Sequence, residues 1–151
     1  MKITYRATER EDAELLVTIY NSTFYDDYMH YGECPGYGRS IEEMILSIQQ
    51  FSKYIIMYDE TPVGAISFEN KGEGHYHLEC LCIIPEYQGK GIGTQAFKYM
   101  QSLWTDWTQI TLVTPADKEE NVRFYTQKCG FSIGDKALDG KVEVVIFYMK
   151  R

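Results

Sequence analysis

Apolar residues follow two rhythms along this chain. From Tyr76 to Ile84 nearly every position is apolar or β-favouring, which predicts a largely buried strand. Pro85 ends it, because proline brings no N–H to a ladder. From Ile92 onward the apolar residues fall at Ile92, Ala96, Phe97, Met100, Leu103, Trp104 and Trp107. That is the three-and-four spacing of a helix with one buried stripe. Between strand and helix lies Gln88-Gly89-Lys90-Gly91-Ile92-Gly93, with Thr94 behind it.

The other elements follow from the same patterns. Lys2 to Arg6 alternates as a short strand. Thr8, with Glu11 three residues on, reads as a capping pair for a helix whose stripe is Ala13, Leu16, Val17, Tyr20 and Phe24. Tyr25 to Gly38 then breaks the pattern and reads as an irregular, tyrosine-rich segment. Ser40 and Glu43 form a second capping pair before Ile41, Met44, Ile45 and Ile48. Tyr54 to Asp59 and Pro62 to Glu69 read as strands joined by a tight turn. Gln109 to Thr114 is a further strand, and Glu119 to Lys128 a short helix with Gly130 suited to its C-terminal cap. Phe131 to Ile133 and Val142 to Lys150 close the chain as strands, with a polar link at Asp135 to Lys141. The order β–α–α–β–β–β–α–β–α–β–β predicts an α/β (α+β) mixed sheet of about seven strands and four helices.

Bulk properties narrow the function. A chain of 151 residues, 44% hydrophobic, suits a single domain over residues 1–151 with a real core. The formal charge is -7 and no dense Lys/Arg cluster occurs, which argues against a nucleic-acid partner and fits a cationic small substrate. The N-terminus has no apolar signal core and no apolar run has the length of a membrane span, so the expected location is cytoplasmic, away from membranes. Cys80 and Cys82 share one strand face as small core residues, and Cys34 sits in a loop. The four cysteines lack zinc-site spacing, so no metal is expected. The apolar final strand, Val142 to Met149, would suit a homodimer.

The glycine-rich loop carries the first chemical signal. Glycines let a backbone curl and approach a ligand closely. The N–H groups of such a loop and of the first helical turn lack intrahelical partners, and the helix dipole favours an anion there. Lys90 adds a positive charge at the rim. The design suits a phosphate or pyrophosphate. It is not a Walker A loop, since no Gly-Lys-Ser or Gly-Lys-Thr follows four spacer residues. Gly91, Gly93 and Ala96 fit a GxGxxA dinucleotide pattern formally. That fold needs an acidic residue about 20 positions on. Asp106 is too near, and Asp117 follows the next strand on a loop.

Gln88 to Gly93, after a strand ending Ile83-Ile84-Pro85, resembles the acetyl-CoA-binding signature of the GNAT superfamily of N-acetyltransferases. Asn121-Val122-Arg123-Phe124-Tyr125-Thr126-Gln127-Lys128-Cys129-Gly130-Phe131 resembles that family's second landmark. The resemblance covers roughly residues 50 to 149 and matches the first fifty in general plan. It implies a mixed sheet whose fourth and fifth strands splay to admit the cofactor's pantetheine arm. It also implies acetyl-CoA as cosubstrate and acetyl transfer to a primary amine by direct attack in a ternary complex.

The resemblance further implies roles for residues. It places the pyrophosphate on the amides of Gln88, Gly89, Lys90, Gly91, Ile92, Gly93 and Thr94, and pantetheine against the backbone of Leu81, Cys82 and Ile83. Tyr125 is the expected acid for the leaving thiolate, Asn121 a contact to the cofactor arm, and Phe124 a packing residue. Glu79 is the first choice for a base and His77 the second. Both lie on one face of a regular strand with Leu81 and Ile83. Acceptor selection is expected in Tyr25 to Tyr37, where Asp26, Asp27 and Glu33 suit an ammonium and Tyr25, Tyr28, Tyr31 and Tyr37 suit cation–π contacts. A catalytically silent module that binds or senses acyl-CoA is the alternative, and transfer of a longer acyl chain a third reading.

Overall fold

The computed structural model describes residues 2–151. Among the described residues seven strands are present: β1 (Ile3–Ala7), β2 (Ser52–Tyr58), β3 (Thr61–Asn70), β4 (His75–Ile83), β5 (Gln109–Pro115), β6 (Ser132–Asp139) and β7 (Val142–Lys150). Four helices accompany them: α1 (Ala13–Tyr31), α2 (Ile41–Gln50), α3 (Ile92–Leu103) and α4 (Glu119–Arg123). The strand order is β1-β2-β3-β4-β5-β7-β6. The chain divides into two compact units, Met1–Phe68 with Glu79–Ala96 and Glu69–Leu78 with Phe97–Arg151.

In the first unit, β1, β2 and β3 pair antiparallel, with Lys53 opposite Ser67 and Ile55 opposite Ala65. Leu16, Ile19 and Tyr20 of α1 and Met44 of α2 pack with Ile55, Ala65 and Cys82 into a core from which water is nearly excluded. Burying a large aliphatic side chain of this kind contributes about 1.5–3 kcal/mol. Gly64 serves close approach rather than an unusual dihedral. A Cβ there would lie 2.1 Å from the Cys82 carbonyl oxygen.

The second unit joins the start of β4 to β5 in parallel, and β5 to β7 and β7 to β6 antiparallel. Among the described residues the β4–β5 ladder has three pairs, from His75↔Gln109 to His77↔Thr111, although both strands continue beyond it. β7 has a partner on each edge. Its Val144, Val145 and Phe147 are buried, so the apolar character of this strand is already used inside the unit.

The structure departs from the sequence reading in four places. Helix α1 runs on through Tyr31, where Gly32 (φ 78°) closes it by donating its N–H to Tyr28 O at 2.8 Å. The polar, tyrosine-rich composition of that segment hid a helix whose stop signal was the glycine. The first capping pair is not Thr8 and Glu11. The Thr8 hydroxyl donates to Lys53 O at 2.9 Å, while the Glu9 N–H donates to Asp12 Oδ2 at 2.8 Å. The expected link from Asp135 to Lys141 is mostly strand β6, an exposed edge with no apolar alternation, and Gly140 (φ 62°) with Lys141 forms its hairpin turn. Finally, the last short helix widens at Phe124–Lys128 into a π-helical turn, closed by the Cys129 N–H on Phe124 O at 3.2 Å.

Two outcomes follow for stability. Gly64→Ala should cost about 1–3 kcal/mol in denaturant unfolding, as overpacked sites do, and an unchanged midpoint would show that the strands relax freely. Partial burial pushes the Asp12 carboxyl up, but the Arg6 hydrogen bond at 2.9 Å, the Glu9 amide and the Arg6 charge outweigh it and hold the group below its usual range. Its stabilisation is therefore present above about pH 4 and lost as pH falls through the depressed folded value. Asp12→Asn should be less stable than wild type at pH 7, and the gap should narrow at about pH 3. An equal gap at both would refute the ion-pair contribution.

Candidate functional site: a glycine loop, a polar cluster on β4 and an aromatic segment

In the first unit, a single 3₁₀ turn at Pro85–Tyr87 leads from β4 into the loop. The Gln88 side chain anchors the loop's base by donating Nε2–H to Ile83 O at 2.8 Å. Gly89 (φ 78°) and Gly91 (φ 80°) take left-handed conformations, and a Cβ on either would meet nothing within 4 Å. Conformation therefore demands these glycines, and the space beside them is open to a ligand. Ile92 starts α3 with its side chain buried, and the Gln95 N–H closes the first turn on Gly91 O at 3.1 Å. The N–H groups of Ile92, Gly93 and Thr94 thus precede the intrahelical ladder. Lys90 is exposed beside them. Leu81 and Ile83 are half-buried and Cys82 is buried.

Glu79 of β4 stands in a cluster that the sequence did not announce. It accepts a hydrogen bond from the Ser67 hydroxyl. Lys53 Nζ lies 3.7 Å from Oε2, and Arg39 Nη2 lies 3.6 Å from Oε1. The Lys53 side chain has 0% exposure, and its ammonium donates to the Tyr20 hydroxyl. Burial lowers the Lys53 pKa and Glu79 opposes that shift. Burial drives the Tyr20 phenol well up, so it stays neutral. The hydrogen bond with Cys82 and desolvation raise the Cys80 thiol well above its usual value. Lys53, Arg39, Tyr20 and Ser67 were missed because Lys53 lies just before the apolar run of β2 and Arg39 stands next to a helix cap. The available signal was the Lys53↔Ser67 pairing, which strand register alone could have exposed.

The expected acceptor residues occupy the last turns of α1 and the segment after it. Tyr25, Asp26 and Tyr28 are exposed, while Asp27, Tyr31 and Glu33 are half-buried. The Tyr37 ring stacks on Tyr28 with centroids 4.6 Å apart and stands 6.0 Å from Tyr25. Tyr31 instead meets His30 edge-on at 4.5 Å, outside that trio.

The second unit holds the remaining candidates. His77 Nδ1 and His75 Nε2 each lie 2.8 Å from Thr111 Oγ1. A hydroxyl has one proton, so at least one of these imidazoles must donate to it. The Asn121 amide donates to Thr114 Oγ1 at 2.9 Å. Tyr125, one turn on, is buried with its ring 4.9 Å from Phe124 and 5.9 Å from both Phe131 and Phe147. Burial pushes the Cys129 thiol up to about 12, which disfavours a thiolate acyl carrier. Among the described residues no group of three or more His, Cys, Asp or Glu side chains is arranged to hold a metal ion. No helix among them is long and apolar enough to cross a membrane.

Comparisons with known proteins bear on the fold and the family. The chain is 36% identical over 81 residues to the uncharacterized protein YrkN of Bacillus subtilis (strain 168), a match covering 53% of this chain and 44% of YrkN. It therefore spans less than half the length of that relative. The fold is similar to that of the PaiA N-acetyltransferase of Thermoplasma acidophilum, solved in complex with coenzyme A (TM-score 0.81, 20% identity, 100% of both chains). It is also similar to that of an acetyltransferase from Thermus thermophilus (TM-score 0.79, 16% identity, 100% of this chain and 98% of that one). The family model described as Acetyltransferase (GNAT) family matches residues 14–131, which run through both units and include the glycine loop, β4 and Tyr125. The chain belongs to the GNAT family of acetyltransferases.

Proposed function

We propose that this protein transfers an acetyl group from acetyl-CoA to a primary amine of a small molecule, by direct attack in a ternary complex. The observation that carries the reading is the glycine loop. Gly89 and Gly91 in left-handed conformation, with open space beside them, precede the free amides of a 12-residue helix. In this reading the amides from Gly89 to Thr94 hold the pyrophosphate, with Lys90 at the rim, while the expected Gln88 amide is already spent on Pro85 O at 3.3 Å. The backbone of Leu81, Cys82 and Ile83 receives the pantetheine arm. Bound acetyl-CoA supplies the activated acyl group, and the chain supplies orientation and proton handling.

Tyr125 donates a proton to the departing thiolate, a role that suits a neutral phenol. Asn121 orients the cofactor arm, and Phe124 packs beside Tyr125. On β4 the proton acceptor for the amine is His77 rather than Glu79. The Glu79 carboxylate already accepts from Ser67 and faces Lys53 and Arg39, so both its oxygens are engaged in that cluster. His77 has its ring fixed through Nδ1 on Thr111, as an imidazole base requires. The acceptor's ammonium side is read as lying along Tyr25, Asp26, Asp27, Tyr28 and Tyr31. The thirteen tyrosines and the charge of -7 support a cationic acceptor.

Thermal unfolding tests the cofactor first. Acetyl-CoA and CoA should each stabilise the protein, by about 2.7 kcal/mol at roughly a hundred times the dissociation constant, and NAD should not. No shift with either CoA species would end the transferase reading. Gly91→Ala, placing a Cβ in a left-handed conformation, should weaken CoA binding about tenfold. Tyr125→Phe should retain CoA affinity and lose about 100-fold or more in kcat with an amine acceptor. Wild-type CoA binding without turnover across an amine panel would instead favour the acyl-CoA-sensing module.

A further inference from the structure

Arg39 joins four parts of the first unit through one side chain. Its Nε donates to Pro35 O at 2.9 Å, within its own segment. Nη1 donates to Ser47 Oγ of α2 at 3.2 Å. Nη2 lies 3.6 Å from Glu79 Oε1 of β4. The guanidinium carbon stands 5.4 Å from the centre of the Tyr20 ring on α1. A planar group with five fixed donors can meet these directions at once, and an ammonium cannot. The Arg39 side chain is 19% exposed and that of Glu79 16%, so solvent screens their attraction less than that of a surface pair.

The segment that Arg39 ends is fitted closely to α1. The Gly38 N–H donates to Asn21 Oδ1 at 2.9 Å, and the Tyr37 N–H to Cys34 O at 3.0 Å. At Gly36 a Cβ would sit 2.5 Å from the Phe24 ring. Tyr37 reaches its stack on Tyr28 only with the segment in this path. Glu79 holds the far end of the tie, and Lys53 and Ser67 fix Glu79 in turn.

We infer that Arg39 is a positioning residue for acceptor binding: tied to Glu79, it holds segment 32–39 so that Tyr37 completes a preformed aromatic wall with Tyr25 and Tyr28. The inference rests on the reading of Tyr25 to Tyr37 as the acceptor side. A preformed wall binds an amine without first having to order the loop.

Hydrogen exchange and steady-state kinetics on wild type, Arg39→Ala and Arg39→Lys test it. In Arg39→Ala the Tyr37 and Gly38 amides should exchange about tenfold faster, with β5 and β7 unaffected. KM for an amine acceptor should rise about tenfold, kcat should stay within about threefold, and CoA affinity should not change. Arg39→Lys should fall between the two, since it keeps the charge and loses the fork. Unchanged exchange in both variants would overturn the tie itself. Faster exchange with unchanged KM would overturn the positioning role and the acceptor assignment, while leaving acetyl transfer, tested separately through Tyr125→Phe, in place.

Discussion

A lysine ammonium with no exposed surface must have an anion beside it, and in this protein Glu79 meets that need for Lys53. Removing one partner of such a pair leaves a charge stranded in a poor solvent, so the two residues constrain each other. The constraint spreads because Glu79 also faces Arg39 and accepts from Ser67. Strand β2, strand β3, strand β4 and the segment before α2 are thereby tied at one polar point inside an apolar unit. The Glu79 oxygens are thereby engaged in holding these elements together.

The glycine loop obeys a different constraint. Gln88 to Gly91 are exposed, so packing does not dictate the shape of this stretch. Backbone conformation does: Gly89 and Gly91 turn the chain in a sense that residues with a Cβ resist, and Gln88 pins the turn to the end of β4. Strand on one side and helix on the other leave a short, bent stretch of backbone between them.

Much of this was legible in the chain. Two rhythms of apolar residues gave the strands and helices in order, β6 only at its first two residues, because an element that buries one face shows the period of that face. The glycine loop was legible because its residue types are themselves the geometry. Three things were not. The polar composition of Tyr25 to Tyr31 concealed a helix that ends in solvent, where no apolar stripe is needed. The π-helical turn at Phe124–Lys128 left no periodic trace, since one wide turn is too short to set a period. The cluster around Glu79 joins positions 39, 53, 67 and 79, and only strand register and loop path bring such distant residues together.

Strand β6 shows how the sheet ends. It is the outermost strand in the order and is exposed along nearly its whole length. An open strand edge is a template on which another chain could extend the sheet and begin to aggregate. Asp135, Lys136 and Asp139 place charge along this one, and the register shifts between Ile133 and Lys136. An incoming strand would have to desolvate those charges and match an irregular ladder. The polar composition that concealed β6 in the sequence therefore also guards the sheet against growth.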